Sequence, residues 1–325
     1  MKLNVTPDEK PVLSRASSDF NQRHLVGRYA PSPTGRMHAG NIFAALMSWL
    51  IVKSQDGEMV LRIEDLDVQR SRQSYADQVM RDLEMLGLTW DRGPFYQQGR
   101  DEAYRAAFET LSESGQIYPC FCTRADLHAA SAPHRGEKLV YTGTCRHLSS
   151  SERAEKSLVR DPAWRIETPN RTYRLDDLIQ GHFEQNLATE CGDFIVRRSD
   201  GLFAYQLAVV VDDAEQGINC IVRGMDLLVS TPQQMFMQDM LGYSHCTYAH
   251  VPLIVGERDR RLSKRDRDAG LDELLKTYGS AEGIIGHIAG LTGLAPSSDP
   301  ISCEELLANF TLPSFPDKVQ ILWKA

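Results

Sequence analysis

The chain has 325 residues, 42% hydrophobic and 25% charged, the ordinary balance of a globular protein with one large or two average domains, which excludes global disorder. Lys plus Arg number 36 and Asp plus Glu 44, so the net charge of −8 sets up no overall positive field, and any nucleic-acid contact has to use a local basic patch. The longest membrane-like stretch, residues 43–52, carries Ser48 and is too short to span a bilayer.

Residues 1–24 are polar and mixed in charge, without the apolar core of a secretory signal, and read as a disordered leader on a cytoplasmic protein. Seven cysteines spread over this length do not resemble a disulfide framework; they suit reduced thiols or a metal site. Residues 25–29 predict a short strand, and 30–37 (APSPTGRM), crowded with Pro, Ser and Gly, predict a loop. From His38 onward Ile42, Ala45, Leu46, Trp49 and Leu50 recur at helical spacing, and residues 59–63 predict the next strand. Tyr75, Val79, Leu83 and Leu86 mark a second helix closed by Gly87; residues 101–114 mark a third, stopped by Gly115.

Between residues 117 and 198 the helical period fades while Cys, Ser and Arg increase, which predicts an inserted module. Residues 204–211 form an apolar run expected to be a strand of a buried parallel sheet, followed by a short strand at 220–222. A helix is expected over 231–241, with Pro232 in its first turn. Beyond Gly270 the segments 271–278, 281–289 and 304–308 predict a short helical C-terminal region, the last opened by Ser302 and Glu305 at capping-box spacing. The organisation expected is α/β: residues 25–116 and 199–270 in one body, 117–198 inserted into it, and 271–325 following.

Two stretches point to phosphate chemistry. His38, Gly40 and Asn41 sit where a strand feeds a loop into a helix N-terminus, where backbone amides face anions and a histidine can donate to phosphate oxygens. Arg261, Leu262, Ser263 and Lys264 lie within a basic stretch, 258–267, whose lysine can stabilise charge developing on departing pyrophosphate. Taken alone, the first reads better as an ordinary helix start and the second as a solvated charge run. Cys120 and Cys122 form a CxC pair with Cys145 downstream, three thiols that need one more donor to make a tetrahedral zinc site. His134 or His147 would be the conventional fourth ligand.

Taken together, GRYAPSPTGRMHAGN, RIEDLD, YQLAVVVDD, IVRGMDLL and HVPLIVGERDRRLSKR resemble, in order and spacing, the catalytic half of the glutamyl-tRNA synthetases. The resemblance runs from about Leu25 to Gly270 and implies a Rossmann-type class I synthetase catalytic domain with an inserted zinc-containing module. Only some 55 residues follow Gly270, too few for the family's anticodon-binding region. That length resembles the glutamyl-queuosine tRNA(Asp) synthetase branch, which attaches glutamate to the wobble base queuosine of tRNA(Asp). A truncated glutamyl-tRNA synthetase that charges the tRNA 3′ end, or a non-catalytic tRNA-binding paralogue, are the alternatives.

The resemblance implies ATP with Mg²⁺, L-glutamate and queuosine-bearing tRNA(Asp) as reaction partners, a monomeric cytoplasmic enzyme, and one structural Zn²⁺ held by Cys120, Cys122, Tyr141 and Cys145. His38 and Lys264 would be catalytic. Glutamate carries two carboxylates and one ammonium, so its site needs two cationic or strongly donating groups and one carboxylate. The matched motifs offer Arg28, Arg223 and the Tyr205 hydroxyl for the carboxylates and Glu64 for the ammonium, with Ser32 and contacts from Tyr29, Ala30 and Pro31. Val209 stands where the full-length enzymes commonly have asparagine, in what reads as the strand motif, and a lost polar group there would alter contact with the amino acid. Arg146, Arg197, Arg198 and the 258–267 stretch are the candidate tRNA contacts.

Overall fold

The computed structural model describes residues 24–123, 126, 140–256, 260–261, 270–315 and 319–323. The expected leader, apart from His24, and the stretch 262–269 lie outside them.

Strand β1 (Val26–Tyr29) leads through the 30–37 loop into helix α1 (Ala39–Lys53), then β2 (Glu58–Ile63), α2 (Gln73–Met85), β3 (Arg92–Tyr96) and α3 (Asp101–Glu113). The three strands are parallel in the order β1-β2-β3. Much later β9 (Cys220–Gly224) and β10 (Thr247–Val251) pair in parallel. β9 runs beside the free edge of β1, joined by Asn219 N–H to Val26 O (3.0 Å) and by Arg28 Nη1 to Val222 O (3.1 Å). The order β3-β2-β1 followed by β9-β10 reverses direction between β1 and β9, the crevice where doubly wound sheets bind ligands.

Residues 204–211 are not a strand: α4 (Ser150–Ser157) is followed, after several strands, by helix α5 (Tyr205–Glu215), which contains the apolar run. Every residue from Leu207 to Asp213 is buried, so no polar face interrupts the run and the helical period is invisible in sequence. The β-branched Val209, Val210 and Val211 favour a strand locally, and burial on all sides overrides that preference. Helix α6 (Thr231–Leu241) forms as expected, with Pro232 in its first turn.

The segment between α3 and α5 is antiparallel. β4 (Ile117–Cys120), β5 (Ala163–Ile166) and β8 (Phe194–Arg197) form one sheet, and β6 (Thr172–Asp177) and β7 (Gly181–Asn186) a hairpin. Its apolar residues Ile166, Tyr173, Leu187 and Val196 share one buried cluster with Tyr104 of α3, Leu207 of α5 and Met237 of α6.

After β11 (Leu253–Gly256) and β12 (Arg260–Arg261), helices α7 (Leu271–Tyr278), α8 (Ala281–Thr292) and α9 (Cys303–Ala308) form where the sequence places them. The capping box of α9 is present, Ser302 Oγ accepting from Glu305 N–H at 3.2 Å. These helices are not an appendage. Leu271, Ile284, Ile288 and Leu306 pack in the same buried cluster as Ile42, Leu46 and Leu50 of α1, and β13 (Gln320–Leu322) pairs in parallel with β11. None of the described helices is long and apolar enough to cross a membrane.

Candidate functional site

A cavity of about 660 Å³ opens at the β1/β9 crevice. Its walls include Arg28, Tyr29, Ala30, Pro31, Ser32, Glu64, Tyr205 and Arg223, the whole expected amino-acid set, together with His38, Gly40 and Asn41. These residues come from β1, the following loop, the end of β2, the start of α5 and the end of β9. Parallel strands sharing one edge bring their C-terminal ends together there, which is why residues nearly 200 positions apart meet.

His38 occupies the N-cap of α1 with extended backbone (φ −126°, ψ 168°), and its N–H reaches Asn41 Oδ1 at 3.3 Å. A Cβ at Gly40 would lie 3.2 Å from His38 Nδ1 and Cε1, so glycine there makes room for the imidazole as well as for any ligand. The N-terminus of this 15-residue helix, with His38, Gly40 and Asn41, lines the cavity, and its dipole suits that end to phosphate.

Lys264, Leu262 and Ser263 lie outside the described residues; Arg261 is placed in β12, opposite Val255. The residue that resumes the described chain, Gly270, bridges to His38, and Leu271 N–H donates to Met37 O at 3.1 Å. Arg36, which the sequence reading passed over, adds a clamp: Nη1 lies 2.7 Å from both Asp272 carboxylate oxygens and Nη2 lies 3.2 Å from Asp82. Gly270 and the start of α7 are thereby fixed against the first motif.

Below the cavity lies a charge network that the sequence alone did not disclose. Arg62 is wholly buried, its Nη1 donating to Asp213 (2.7 Å) and Gln216 (3.0 Å) and its Nη2 to Glu64 (3.2 Å). Asp213 also lies 3.6 Å from Arg28 Nε. Asp212, fully buried, is held by Arg100, Tyr104 and Gln97. Burial pushes the Glu64 carboxyl above its ordinary value, against the opposing pull of Arg62 and Arg28. Burial, then the charge of Glu64, raises the Tyr205 phenol, keeping it a neutral hydrogen-bond donor. The signal for this network was present as the acidic pair closing YQLAVVVDD and the arginine of RIEDLD, but nothing in spacing says that they face one another.

Arg223 Nη1 is buried without a hydrogen-bond partner in the protein, and Arg28 Nε has no hydrogen bond beyond its 3.6 Å ion pair with Asp213, so both keep donor capacity for an anionic ligand. Val209, by contrast, is buried in the cluster beneath α5 and does not line the cavity.

The family model for the catalytic domain of class I tRNA synthetases for E and Q matches residues 24–310. The chain belongs to this family. A glutamyl-Q tRNA(Asp) synthetase of Thiobacillus denitrificans is 46% identical over 282 residues, covering 86% of this chain and 91% of that protein. The protein of the same name from Nitratidesulfovibrio vulgaris is 40% identical over 306 residues, 90% of this chain and 94% of its own length. Among solved structures, a glutamate tRNA ligase from Elizabethkingia meningosepticum, in complex with its amino acid, superposes with a TM-score of 0.78 at 26% identity, covering 93% of this chain and 68% of that one. As a family member, the chain is a ligase with a class I synthetase catalytic fold.

The cysteine cluster lies away from the cavity, at the end of β4. The sulfurs of Cys120, Cys122 and Cys145 lie within 4.8 Å of one another, and among the described residues no histidine or carboxylate joins them; His134 lies outside the described residues. Beside them lies Tyr141, whose hydroxyl is 3.4 Å from Cys120 Sγ and 3.8 Å from Cys122 Sγ. Cys122 and Cys145 sulfurs are 3.5 Å apart, far beyond a disulfide. A zinc–sulfur tetrahedron with bonds of about 2.3 Å has edges of roughly 3.8 Å, so these residues fit a zinc ion.

Gly192 holds Tyr141 in place: at φ +70° it bridges the Tyr141 backbone, and a Cβ there would come within 2.5 Å of Tyr141 O. Arg165 donates to Cys120 Sγ at 3.3 Å and lies 3.9 Å from the Tyr141 ring centre. Burial and the neighbouring thiols push Cys122 up to about 12, a cost that a bound dication offsets.

Of the expected tRNA contacts, Arg146 is engaged by Asp193 and Glu167 and Arg198 by Asp200, while Arg197 packs its guanidinium 5.5 Å from the Phe203 ring centre.

Proposed function

We propose that the protein activates L-glutamate with ATP as glutamyl-adenylate and transfers the glutamyl group to queuosine at the wobble position of tRNA(Asp). The observation that carries the amino-acid assignment is the meeting of Arg28, Arg223, Tyr205 and Glu64 on one cavity, a set complementary to two carboxylates and one ammonium. The acceptor assignment is supported by relatives named glutamyl-Q tRNA(Asp) synthetase, matched over 91% and 94% of their own lengths.

In activation, a glutamate carboxylate oxygen bonds to the α-phosphorus of ATP as the bond to the β-phosphate bridging oxygen breaks and pyrophosphate leaves; no protein nucleophile takes part. Arg223 Nη1 and Arg28 Nε are the donors available to the carboxylates, Tyr205 adds a neutral donor, and Glu64 holds the ammonium. Orientation is the main contribution of this set. His38, the α1 N-terminus and Lys264 stabilise charge on the phosphates as it redistributes. Mg²⁺ bound with ATP would neutralise phosphate charge. A zinc ion held by Cys120, Cys122, Cys145 and Tyr141 would clamp the end of β4 to the 141–145 turn. In transfer, a hydroxyl of the queuosine cyclopentene-diol attacks the adenylate carbonyl, and AMP leaves.

The test is ATP–pyrophosphate exchange with L-glutamate in the absence of tRNA, with L-aspartate and L-glutamine as controls, followed by transfer to tRNA(Asp) with and without queuosine. Glutamate-dependent exchange without tRNA, and transfer only to queuosine-bearing tRNA(Asp), are expected. Exchange that appears only on adding tRNA(Glu) would assign the chain to charging of the tRNA 3′ end.

A further inference from the structure

Arg223 is the only cavity residue of the proposed glutamate set whose side chain is gripped by a histidine among the described residues. Its Nε donates to His250 Nε2 at 3.1 Å and its Nη2 to Thr231 Oγ1 at 2.8 Å. A guanidinium is planar and rigid, so fixing two of its nitrogens fixes the direction of the third, Nη1, the buried position with no partner in the protein.

His250 is fully buried on β10, where the parallel register sets it directly beside Arg223 of β9. Its Nδ1 lies 2.6 Å from Asp177 Oδ2. The other oxygen of Asp177 accepts three backbone N–H groups, those of Ile179 (3.0 Å), Gln180 (2.9 Å) and His250 itself (3.0 Å). Gln180 Nε2 closes the clamp on His250 O at 2.7 Å. An arginine N–H can only donate, so His250 Nε2 has to present its lone pair and the ring proton has to sit on Nδ1, facing Asp177. Burial, which draws His250 below its ordinary value, favours that neutral form.

We infer that Asp177 and His250 are positioning residues that fix one histidine tautomer and thereby aim Arg223 at a carboxylate of bound L-glutamate. Asp177 closes β6, so a turn of the segment between α3 and α5 supports the amino-acid site through His250. The inference rests on the glutamate reading of the cavity.

Asp177→Asn tests it at constant shape. The three backbone amides keep an oxygen at the Oδ1 position, so the new amide nitrogen faces Nδ1 and drives the proton to Nε2, where it opposes the Arg223 N–H. In ATP–pyrophosphate exchange on the full chain, Asp177→Asn should raise the KM for L-glutamate by ~10- to 100-fold while leaving the KM for ATP within about 2-fold. His250→Leu should behave likewise. His250→Gln keeps an acceptor near Nε2 and should stay within about 3-fold of the unmodified protein. If the substitutions at 177 or 250 prevent folding, Thr231→Val, which removes the hydroxyl that accepts from Nη2 and lies 3.2 Å from His250 Nε2 and leaves Nη2 only Leu227 O at 3.5 Å, should give the same selective rise. Unchanged KM for glutamate in Asp177→Asn, parallel rises for glutamate and ATP, or a Gln variant as impaired as the Leu variant would each overturn the inference. Absence of glutamate-dependent exchange in the unmodified protein would instead remove the glutamate reading, and this inference with it.

Discussion

The groups proposed to bind glutamate come from positions 28, 64, 205 and 223, on four separate elements, whereas those of the sulfur cluster lie within residues 120–145. Both regions gather groups that are costly to bury, but they balance the cost differently. In the network beneath the cavity, charges have protein counter-charges already in place: Arg62 between Glu64 and Asp213, Asp213 between Arg62 and Arg28, Asp212 under Arg100. In the cluster, three thiols and a phenol crowd together with the Arg165 guanidinium beside them. A preformed charge network holds a site open for a small ligand, while a local cluster of soft donors fits a resident ion.

Substitutions can break this contrast at either end. The largest effect is expected from Arg62→Met, which leaves Asp213 and Glu64 buried without their shared cation and should cost about 3–5 kcal/mol of stability, read by chemical denaturation. A loss below ~1 kcal/mol would mean that Arg28 alone balances the carboxylates. Next, Arg223→Ala should lower kcat/KM for glutamate activation by roughly 100-fold with the fold retained, since it removes a buried charged donor to the ligand.

Cys145→Ser sharpens the comparison from the other side. Its melting temperature should fall by roughly 5–10 °C, as expected for loss of a structural metal site, while tRNA-free exchange stays within about 3-fold. Equal losses of stability and exchange would show that the two regions act as one.

The smallest effect is in pH dependence. Burial raises the folded-state pKa of Glu64 above its unfolded value, so its contribution to stability is fully present below the unfolded pKa and is lost as pH rises through the folded one. Binding has the opposite sign, because the ligand ammonium needs the carboxylate ionised. The KM for glutamate should therefore increase as pH falls through the raised Glu64 pKa, beginning above the usual carboxylate range, and Glu64→Gln should flatten that limb. A limb that survives Glu64→Gln would place the titration on another group.

Legibility in the sequence followed how local each feature is. Helix α6 with Pro232, the Ser302–Glu305 cap and the Gly87 and Gly115 stops depend on neighbours within a turn or two, and they appear where expected. The run at 204–211 misled because a helix buried on every side leaves no polar stripe, so its β-branched valines imitate a strand. β3 and β10 were not anticipated, and β3 has little strand texture of its own, carrying Gly93 and Pro94. The C-terminal helices were read correctly as helices, but their burial against α1 could be known only from the packed core.

By itself the sequence determined the order of the α/β elements around the first motif, the charge types available for an amino acid carrying two carboxylates, and the CxC donors with a third cysteine nearby. Covalent spacing and local periodicity carry that information. The tertiary structure decided which groups meet: that Arg62 supports Glu64, that the Tyr141 hydroxyl lies beside the Cys120 sulfur, and that Asp177 holds His250 against Arg223. Those pairings depend on which buried donor faces which acceptor across distant strands, and chain spacing does not encode that until the sheet has formed.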